Sequence, residues 1–240
     1  MIHDDEDDDE NENQDELEMK KHPIVIAIDG TSASGKSTNA KRVARALGYV
    51  YVDTGAMYRT LAWYCLQKRV DVDNERAVAM ACRKWKTSLE CVEYGGLRAV
   101  HLLVEGYYPE KEIRTPETAA AVSHVAAVPK VREWMKKTQR ECIQFGDLVM
   151  EGRDIGTNVF PETDYKFYLD ATLAERSARR AADGVNENLA VRDQRDSQRA
   201  VAPLMIALGA KVINNSALTS EQTSGLILAE LRQRLAESRG

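Results

Sequence analysis

Residues 24–38 read IVIAIDGTSASGKST, an apolar run followed by a turn rich in glycine and serine. The run at 24–29 has the length and composition of a strand buried on both faces, as in parallel sheets. The turn from Gly30 to Ser37 matches G-x-x-x-x-G-K-[ST] in full, and helical composition follows to Leu47. The alternative is a glycine-serine turn with a stray lysine, but the flanking strand and helix make the match specific. The stretch therefore predicts a phosphate-binding loop in an α/β fold.

The chemistry of such a loop explains its spacing. Glycines let the backbone curl so that successive N–H groups point at phosphate oxygens, and the next helix adds its positive N-terminal end. Lys36 is placed to reach the β and γ phosphates of ATP, and the Ser37 hydroxyl can ligate Mg²⁺. The whole loop is predicted to bind ATP: Gly30, Thr31, Ser32, Ala33, Ser34, Gly35, Lys36, Ser37 and Thr38.

Length and composition fit one soluble α/β core. The 240 residues, 43% of them hydrophobic, suffice for a buried core with a small insertion. No apolar run reaches 18 residues and the N-terminus has no apolar h-region, so neither a membrane span nor secretion is predicted. The cysteines form no C-x-x-C pair and have no histidine at zinc spacing, which predicts core thiols in a reducing cytoplasm. They are Cys65, Cys82, Cys91 and Cys142.

The net charge of −5 comes from the first 22 residues. Residues 1–22 carry 11 acids and two lysines, which leaves 27 acids and 31 lysines plus arginines, a formal charge of +4. A mildly basic body suits a cleft for phosphates and falls short of a nucleic-acid binder. The acidic segment cannot bury and repels itself, so we expect a disordered tail. Two interpretations stay open for it, a solubilising tail or a docking tail for a basic partner.

Strand-like and helix-like segments alternate from Pro23 onward, which predicts one domain over 23–240 with a parallel sheet and helices on both faces. Two further strand-like runs, 87–94 and 97–104, are joined by two glycines and predict an antiparallel hairpin in an inserted subdomain. Residues 181–191 have little apolar content and predict a mobile loop. Five parallel strands are predicted at 24–29, 49–52, 147–151, 165–169 and 211–214.

Two classes of nucleotide-binding protein are excluded by missing motifs. A GTPase should carry N-K-x-D, and the chain has no Asn-Lys pair. A transporter-type ATPase should carry an L-S-G-G-Q-like signature, which is also absent. Arginines at strand ends are prominent instead, and phosphoryl transfer needs such cations to position anionic substrates.

Three charged clusters fall where ligands bind in parallel α/β folds, beyond the carboxyl ends of strands or on a nearby helix face. Each has an ordinary alternative: a helix cap with a core tyrosine, a surface Arg–Asp pair, and a solvated helix face. One phosphate cleft would explain all three. The clusters are Asp53, Thr54, Tyr58 and Arg59; Glu151, Gly152, Arg153 and Asp154; and Arg192, Arg195, Asp196 and Arg199.

On the basis of these motifs, the chain resembles the bacterial-type cytidylate kinases from about residue 24 to the C-terminus. The matching segments occur in the same order as in that family and are therefore far more specific than the phosphate loop alone. They are IDGTSASGKST, VDTGAMYR, EIRT, SHVAAVPKVRE, GRDIGT with VFP, and RDQRDSQRAVAPL. The chain departs from the family in a shorter lid at 181–191, in Thr54 where serine is also common, and in its acidic tail.

The resemblance implies a nucleoside monophosphate kinase fold with a five-stranded parallel sheet. It implies a monophosphate-binding insert at about 70–114, a short lid at about 173–199, and ATP with Mg²⁺ as donor. Lys36, Arg153, Arg192 and Arg199 are implied as catalytic and Ser37 as the metal ligand. Residues implied to bind CMP are Asp53, Thr54, Tyr58, Arg59, Ser123, Arg132, Arg153, Asp154, Arg192, Asp196 and Arg199.

The function this predicts is direct in-line transfer from ATP to CMP or dCMP in pyrimidine metabolism, without a covalent intermediate. Asp154 can accept from the exocyclic amine of cytosine, and an arginine can donate to its carbonyl or ring nitrogen. The predicted partners are small molecules, with neither nucleic acid nor membrane. Two alternatives stay open: a kinase of the same architecture acting on UMP, AMP or shikimate, and a non-catalytic binding protein that uses the tail.

Overall fold

The computed structural model describes residues 23–182, 189–199 and 201–237. The predicted acidic tail at 1–22 and residues 183–188 of the predicted lid lie outside the described residues. Within the described residues, no helix is long and apolar enough to cross a membrane.

One sheet of seven strands organises the described part of the chain, in the order β3-β4-β2-β5-β1-β6-β7. All neighbouring strands run parallel except β3 and β4, which form an antiparallel hairpin. The strands are β1 (Val25–Gly30), β2 (Val50–Asp53), β3 (Thr87–Tyr94), β4 (Leu97–Val104), β5 (Leu148–Gly152), β6 (Tyr165–Asp170) and β7 (Lys211–Asn214).

The predicted α/β fold with a parallel sheet flanked by helices is confirmed, but the sheet in the described residues has seven strands, so the predicted number of five was wrong. All five predicted parallel strands and the hairpin exist, but β4 also pairs in parallel with β2, through Tyr51 with Ala99 and Val52 with Val100. The hairpin therefore extends the main sheet. The physical reason is that β4 is buried along most of its length, as expected of an inner strand, whereas β3 is largely exposed and forms the edge. The bounds proposed for the insert and the lid stay predictions.

Eight α-helices connect these strands in the described residues: α1 (Lys36–Leu47), α2 (Thr54–Gln67), α3 (Glu75–Lys84), α4 (Pro116–Ala127), α5 (Pro129–Glu141), α6 (Leu173–Ala182), α7 (Leu189–Ser197) and α8 (Ser220–Glu237). Short 3₁₀ turns lie at Glu112–Arg114 and Cys142–Phe145, and a π turn follows β5 at Ile155–Val159. Local signals in the sequence account for several helix ends. Thr115 accepts from the Thr118 N–H ahead of Pro116, and Thr219 and Gln222 form a reciprocal capping box.

Two apolar cores lie on opposite faces of the sheet, because successive side chains of a strand point to opposite sides. On β1, Val25 and Ala27 join the core that contains α2, α4 and α5, whereas Ile26 and Ile28 join the core under α1 and α8. The strands are thus covered on both faces, and polar groups for chemistry lie at the ends of the strands.

Alanine substitutions at two glycines should change the stability of the protein in opposite directions. Gly225 lies inside α8 with nothing within 4 Å of an added Cβ, so Gly225→Ala should stabilise the protein by about 0.5–1 kcal/mol. At Gly152 a Cβ would lie 2.7 Å from Thr54 Oγ1 and 2.6 Å from Ile155 Cδ1, so Gly152→Ala should destabilise it by about 1–3 kcal/mol. Urea unfolding of the two variants measures both changes, and an unaltered midpoint for Gly152→Ala would contradict the tight packing at the end of β5.

Candidate active site

The phosphate loop follows β1 and leads into α1. Ala33 and Gly35 both have positive φ, 58° and 86°, which curls the loop. The Lys36 Nζ donates to the carbonyl of Thr31 at 2.6 Å, so the ammonium lies across the loop. The hydroxyls of Thr31 and Ser34 are buried without a hydrogen-bond partner in the described residues. Because buried polar groups are normally paired, these hydroxyls indicate a loop shaped to receive a polar ligand.

Side chains from the other end of the chain hold the loop, and the sequence patterns did not identify them. Asn215 Nδ2 donates to the carbonyl of Ser34 at 2.8 Å, and Arg179 donates to both the side chain and the carbonyl of Asn215. Arg176 Nη1 donates to the carbonyl of Ser32 at 3.2 Å. These contacts place two arginines of α6 beside the predicted ATP phosphates.

Two carboxylates, Glu151 and Asp53, face the start of α1 from the neighbouring strands β5 and β2. Burial raises the pKa of Glu151, and the Asp53 carboxylate raises it further, while Lys36 and the Ser37 hydroxyl work in the opposite direction. Tyr51 also donates to Glu151 Oε1 at 2.8 Å. The carboxyl oxygens beside the Ser37 hydroxyl give an oxygen-rich donor set of the kind that suits Mg²⁺, which is bound by one or two carboxylates and substrate phosphates.

The predicted cluster after β2 is brought to the same edge of the sheet. Asp53 caps α2 through the Ala56 N–H and pairs with Arg59 Nη2 at 3.0 Å. Thr54 donates to the carbonyl of Glu151 at 2.7 Å, so its hydroxyl ties α2 to β5. The Asp53–Arg59 pair fixes a guanidinium next to the end of β2, where a monophosphate is predicted to bind.

Arg132 and Asp154 form a buried ion pair at the end of β5. Arg132 Nη2 lies 2.6 Å from Asp154 Oδ2, and their side chains are 3% and 7% exposed. The guanidinium also lies 5.6 Å from the centre of the Tyr58 ring. Burial by itself would lower the pKa of Arg132, but Tyr58 and Asp154 outweigh it and raise that pKa. Asn158 Nδ2 donates to the same Asp154 oxygen at 2.9 Å. Tyr58 and Asn158 thus flank one buried pair.

Helix α7 brings the third cluster onto the first two. Arg153 Nε lies 3.1 Å from Asp196 Oδ2, and Asp196 also pairs with Arg199. The pKa of Arg199 is lowered by burial and by the like charge of Arg132, against the opposing effect of Asp196. Arg153 Nη1 donates to the carbonyl of Gly30 at 2.9 Å, so the cluster reaches the phosphate loop. Asp196 and Arg199 of the third cluster therefore lie beside the second cluster, whereas Arg195 is exposed.

Two predicted residues are not placed by these contacts. Ser123 is half-buried on α4, and in the described residues its hydroxyl makes no hydrogen bond. On the same helix, the carbonyl of Ala126 accepts from Arg132 Nη1 at 3.3 Å. Arg192 belongs to α7, but its side chain lies outside the described residues. The roles predicted for both residues stay predictions.

Asp29 is a buried carboxylate that sequence analysis left unassigned. It is 3% exposed, and its two oxygens accept from the backbone N–H groups of Ile155 and Gly156 at 2.8 and 2.7 Å. Asp29 thereby ties the residue before the phosphate loop to the turn after Asp154. The signal that could have revealed it is an acid at the end of an otherwise apolar strand.

Burial raises the pKa of Asp29 to about 7, against the opposing effect of its two N–H donors. The folded protein therefore holds the proton more tightly than the unfolded chain does. At low pH Asp29 is protonated in both the folded and the unfolded state, and ionisation costs no stability. As the pH rises from about 4 through 7, the unfolded chain loses the proton first, and the folded state becomes less stable relative to it. We expect the stability of the protein relative to Asp29→Asn to fall by a few kcal/mol over that range. Urea unfolding of both proteins at pH 5 and pH 8 tests this, and a gain in the stability of the unaltered protein relative to Asp29→Asn from pH 5 to pH 8 would contradict it.

A curled loop of this kind, surrounded by arginines and buried carboxylates, defines the class of P-loop phosphotransferases. The family model described as cytidylate kinase matches residues 26–233. The chain therefore belongs to the cytidylate kinase family. It is 42% identical over 223 residues to the cytidylate kinase of Anoxybacillus flavithermus, covering 88% of this chain and 97% of that protein.

Other relatives agree with this assignment. A cytidylate kinase of Geobacillus is 39% identical over 226 residues, which covers 90% of this chain and 99% of that protein. A bifunctional pantoate ligase/cytidylate kinase of Acaryochloris marina is 40% identical over 225 residues, 89% of this chain but 43% of that protein. Solved structures from Thermus thermophilus and Chloroflexus aurantiacus align over 88% of the chain at 22% and 14% identity. Their TM-scores of 0.41 and 0.42 are too low to support any argument.

Proposed function

We propose that the protein transfers the γ-phosphate of ATP to CMP or dCMP, giving ADP and CDP or dCDP. The observation that carries the proposal is the buried Arg132–Asp154 pair. Asp154 directly follows Arg153, which donates to the carbonyl of Gly30 in the phosphate loop. A guanidinium and a carboxylate side by side offer donors and an acceptor to one edge of a base. Cytosine presents the matching set, an exocyclic amine that donates and a carbonyl and ring nitrogen that accept.

The residues around the phosphate loop supply positioning and charge. The loop N–H groups and Lys36 hold the ATP phosphates, and Arg153 and Arg199 neutralise the charge that develops on the transferred group. The acceptor phosphate of CMP is already anionic, so no strong general base is required. Arg59, fixed by Asp53, is the proposed contact to that phosphate.

The donor set next to Lys36 fits Mg²⁺, which supplies charge neutralisation on the phosphates when bound. Ser37, Glu151 and Asp53 would hold the ion, since they place a hydroxyl and two carboxylates on one side of the loop. Burial and, after it, the Asp53 carboxylate raise the pKa of Glu151, and a divalent cation would favour the ionised form of Glu151.

We further propose that the fold is of the nucleoside monophosphate kinase type. The hairpin and α3 would then belong to the part that binds the monophosphate, at about 70–114, and α6 and α7 to the lid, at about 173–199. Arg192 and Asp196 would lie near the sugar and phosphates, and Ser123 near the base. The acidic tail at 1–22 remains a candidate for contact with a basic partner.

The first test is ADP formation from Mg-ATP with CMP, dCMP, UMP, AMP, GMP and shikimate as acceptors. We expect strong preference for CMP and dCMP, because a carbonyl in place of the exocyclic amine would set one acceptor against another, the Asp154 carboxylate. Preference for another acceptor would keep a P-loop kinase and reject the cytosine pocket. Absence of turnover with every acceptor would favour a binding protein.

A further inference from the structure

Asp193 of α7 contacts the phosphate loop although it is far from the loop in sequence. The Ser32 N–H donates to Asp193 Oδ1 at 3.3 Å. Arg176 Nη1 pairs with Asp193 Oδ2, and Arg153 Nη1 lies 3.9 Å from Oδ1. All three side chains are largely buried, 16% exposed for Asp193, 9% for Arg176 and 15% for Arg153. One carboxylate thus receives a loop N–H group and two guanidinium groups.

This donor set is the kind that proteins use for phosphate oxygens, namely a backbone N–H of a glycine-rich loop together with arginines. Arg176 is anchored independently of the carboxylate, because Nε donates to the carbonyl of Ala171 at 3.1 Å and Nη1 donates to that of Ser32. Arg153 is likewise held by the carbonyl of Gly30. The cations therefore stay at the loop whichever anion they contact.

The neighbouring carboxylate of Asp196 provides a contrast. It also pairs with Arg153, but its second partner is Arg199, two residues beyond the end of α7. Among the described residues, Asp193 is the acid of α7 that accepts from the backbone of the loop. The contact with the Ser32 N–H therefore depends on the position of Asp193 on α7, since the other acid, Asp196, does not make it.

We infer that Asp193 is a built-in substitute for a nucleotide phosphate, which occupies part of the anion-binding surface of the loop until ATP displaces it. The inference rests on the proposed function, since the displacing anion is the phosphate chain of ATP. Without the carboxylate, Arg153 and Arg176 would lie largely buried without this counter-ion. The contact keeps both arginines assembled at the loop. The apparent affinity for nucleotide is then the intrinsic affinity multiplied by the fraction of molecules in which the contact is broken.

The test compares the full-length protein with Asp193→Asn, which keeps the shape and removes the charge. Calorimetry measures the dissociation constants of ADP and of inorganic tripolyphosphate, both without an acceptor. We expect both ligands to bind at least about threefold more tightly to the variant, because no anion competes for the loop. The melting temperature without ligand should fall, and its rise on ADP addition should increase. Glu133→Gln, which removes an exposed acid of α5, is the control for net charge and should change neither constant.

Unchanged or weaker binding in Asp193→Asn would overturn the inference, since the carboxylate would then be neutral or supportive toward bound nucleotide. Should that variant fail to fold, Asp193→Ser is measured in its place with the same expected tightening. Absence of ADP and tripolyphosphate binding to the unaltered protein would refute the phosphate loop and this inference together. Normal binding with no turnover of CMP would reject the proposed acceptor and leave the role of Asp193 to be decided by the variant.

Discussion

Replacing Lys36 by alanine should lower the turnover number with CMP by about a thousandfold or more while the protein stays folded. The ammonium lies across the loop, 2.6 Å from the carbonyl of Thr31, and it is the cation that is proposed to reach the γ-phosphate. Preorganised charge of this kind stabilises the transition state far more than the bound substrate, so the loss should fall on kcat more than on KM. Steady-state kinetics with Mg-ATP and CMP provide the measurement.

The matched control is Lys84→Ala, which removes an exposed lysine at the end of α3. It should retain turnover within a factor of about two, because surface substitutions away from the site have small effects. Lys36→Ala should keep a cooperative melting transition, which separates loss of chemistry from loss of fold. Near-normal turnover in this variant would reject the assigned role of the loop lysine.

Replacing Arg132 by methionine should impair both stability and cytosine recognition. Asp154 would be left as a buried carboxylate without its guanidinium, and breaking a buried pair in this way costs about 3–5 kcal/mol. The expected loss of kcat/KM with CMP is about a hundredfold or more, since a base-reading group is removed from a desolvated site. Urea unfolding and initial rates with CMP measure the two effects.

Two further variants separate the effects of the Arg132 substitution. In Arg132→Met/Asp154→Asn no unpaired charge remains, so most of the lost stability should return while activity with CMP stays low. On the same helix, Lys130→Met breaks an ion pair with Glu133 whose side chains are 72% and 64% exposed, and it should cost at most about 1 kcal/mol. Recovery of CMP turnover in the double variant would show that the pair is structural and does not read the base.

The sequence by itself determined the strand, loop and helix that open the fold, because buried strands and glycine-rich turns are set by local composition. It also located the clusters at the ends of β2 and β5, since the carboxyl ends of parallel strands share one edge of a sheet. The two strands of the hairpin were predicted at the bounds that the structure gives. Their place in the sheet was not, although the nearly continuous apolar run of β4 was a usable signal for an inner strand.

Only the tertiary structure decided which charged groups are buried and which partners they meet. Asp29 meets Ile155 and Gly156 more than 120 residues away, and Asp193 meets Ser32 across 161 residues. Such pairs leave no periodic pattern, because helix and strand periodicities report only on neighbours within a few residues. Burial then determines their chemistry, since removal of water raises the pKa of Asp29 and makes each ion pair matter more than it would at the surface.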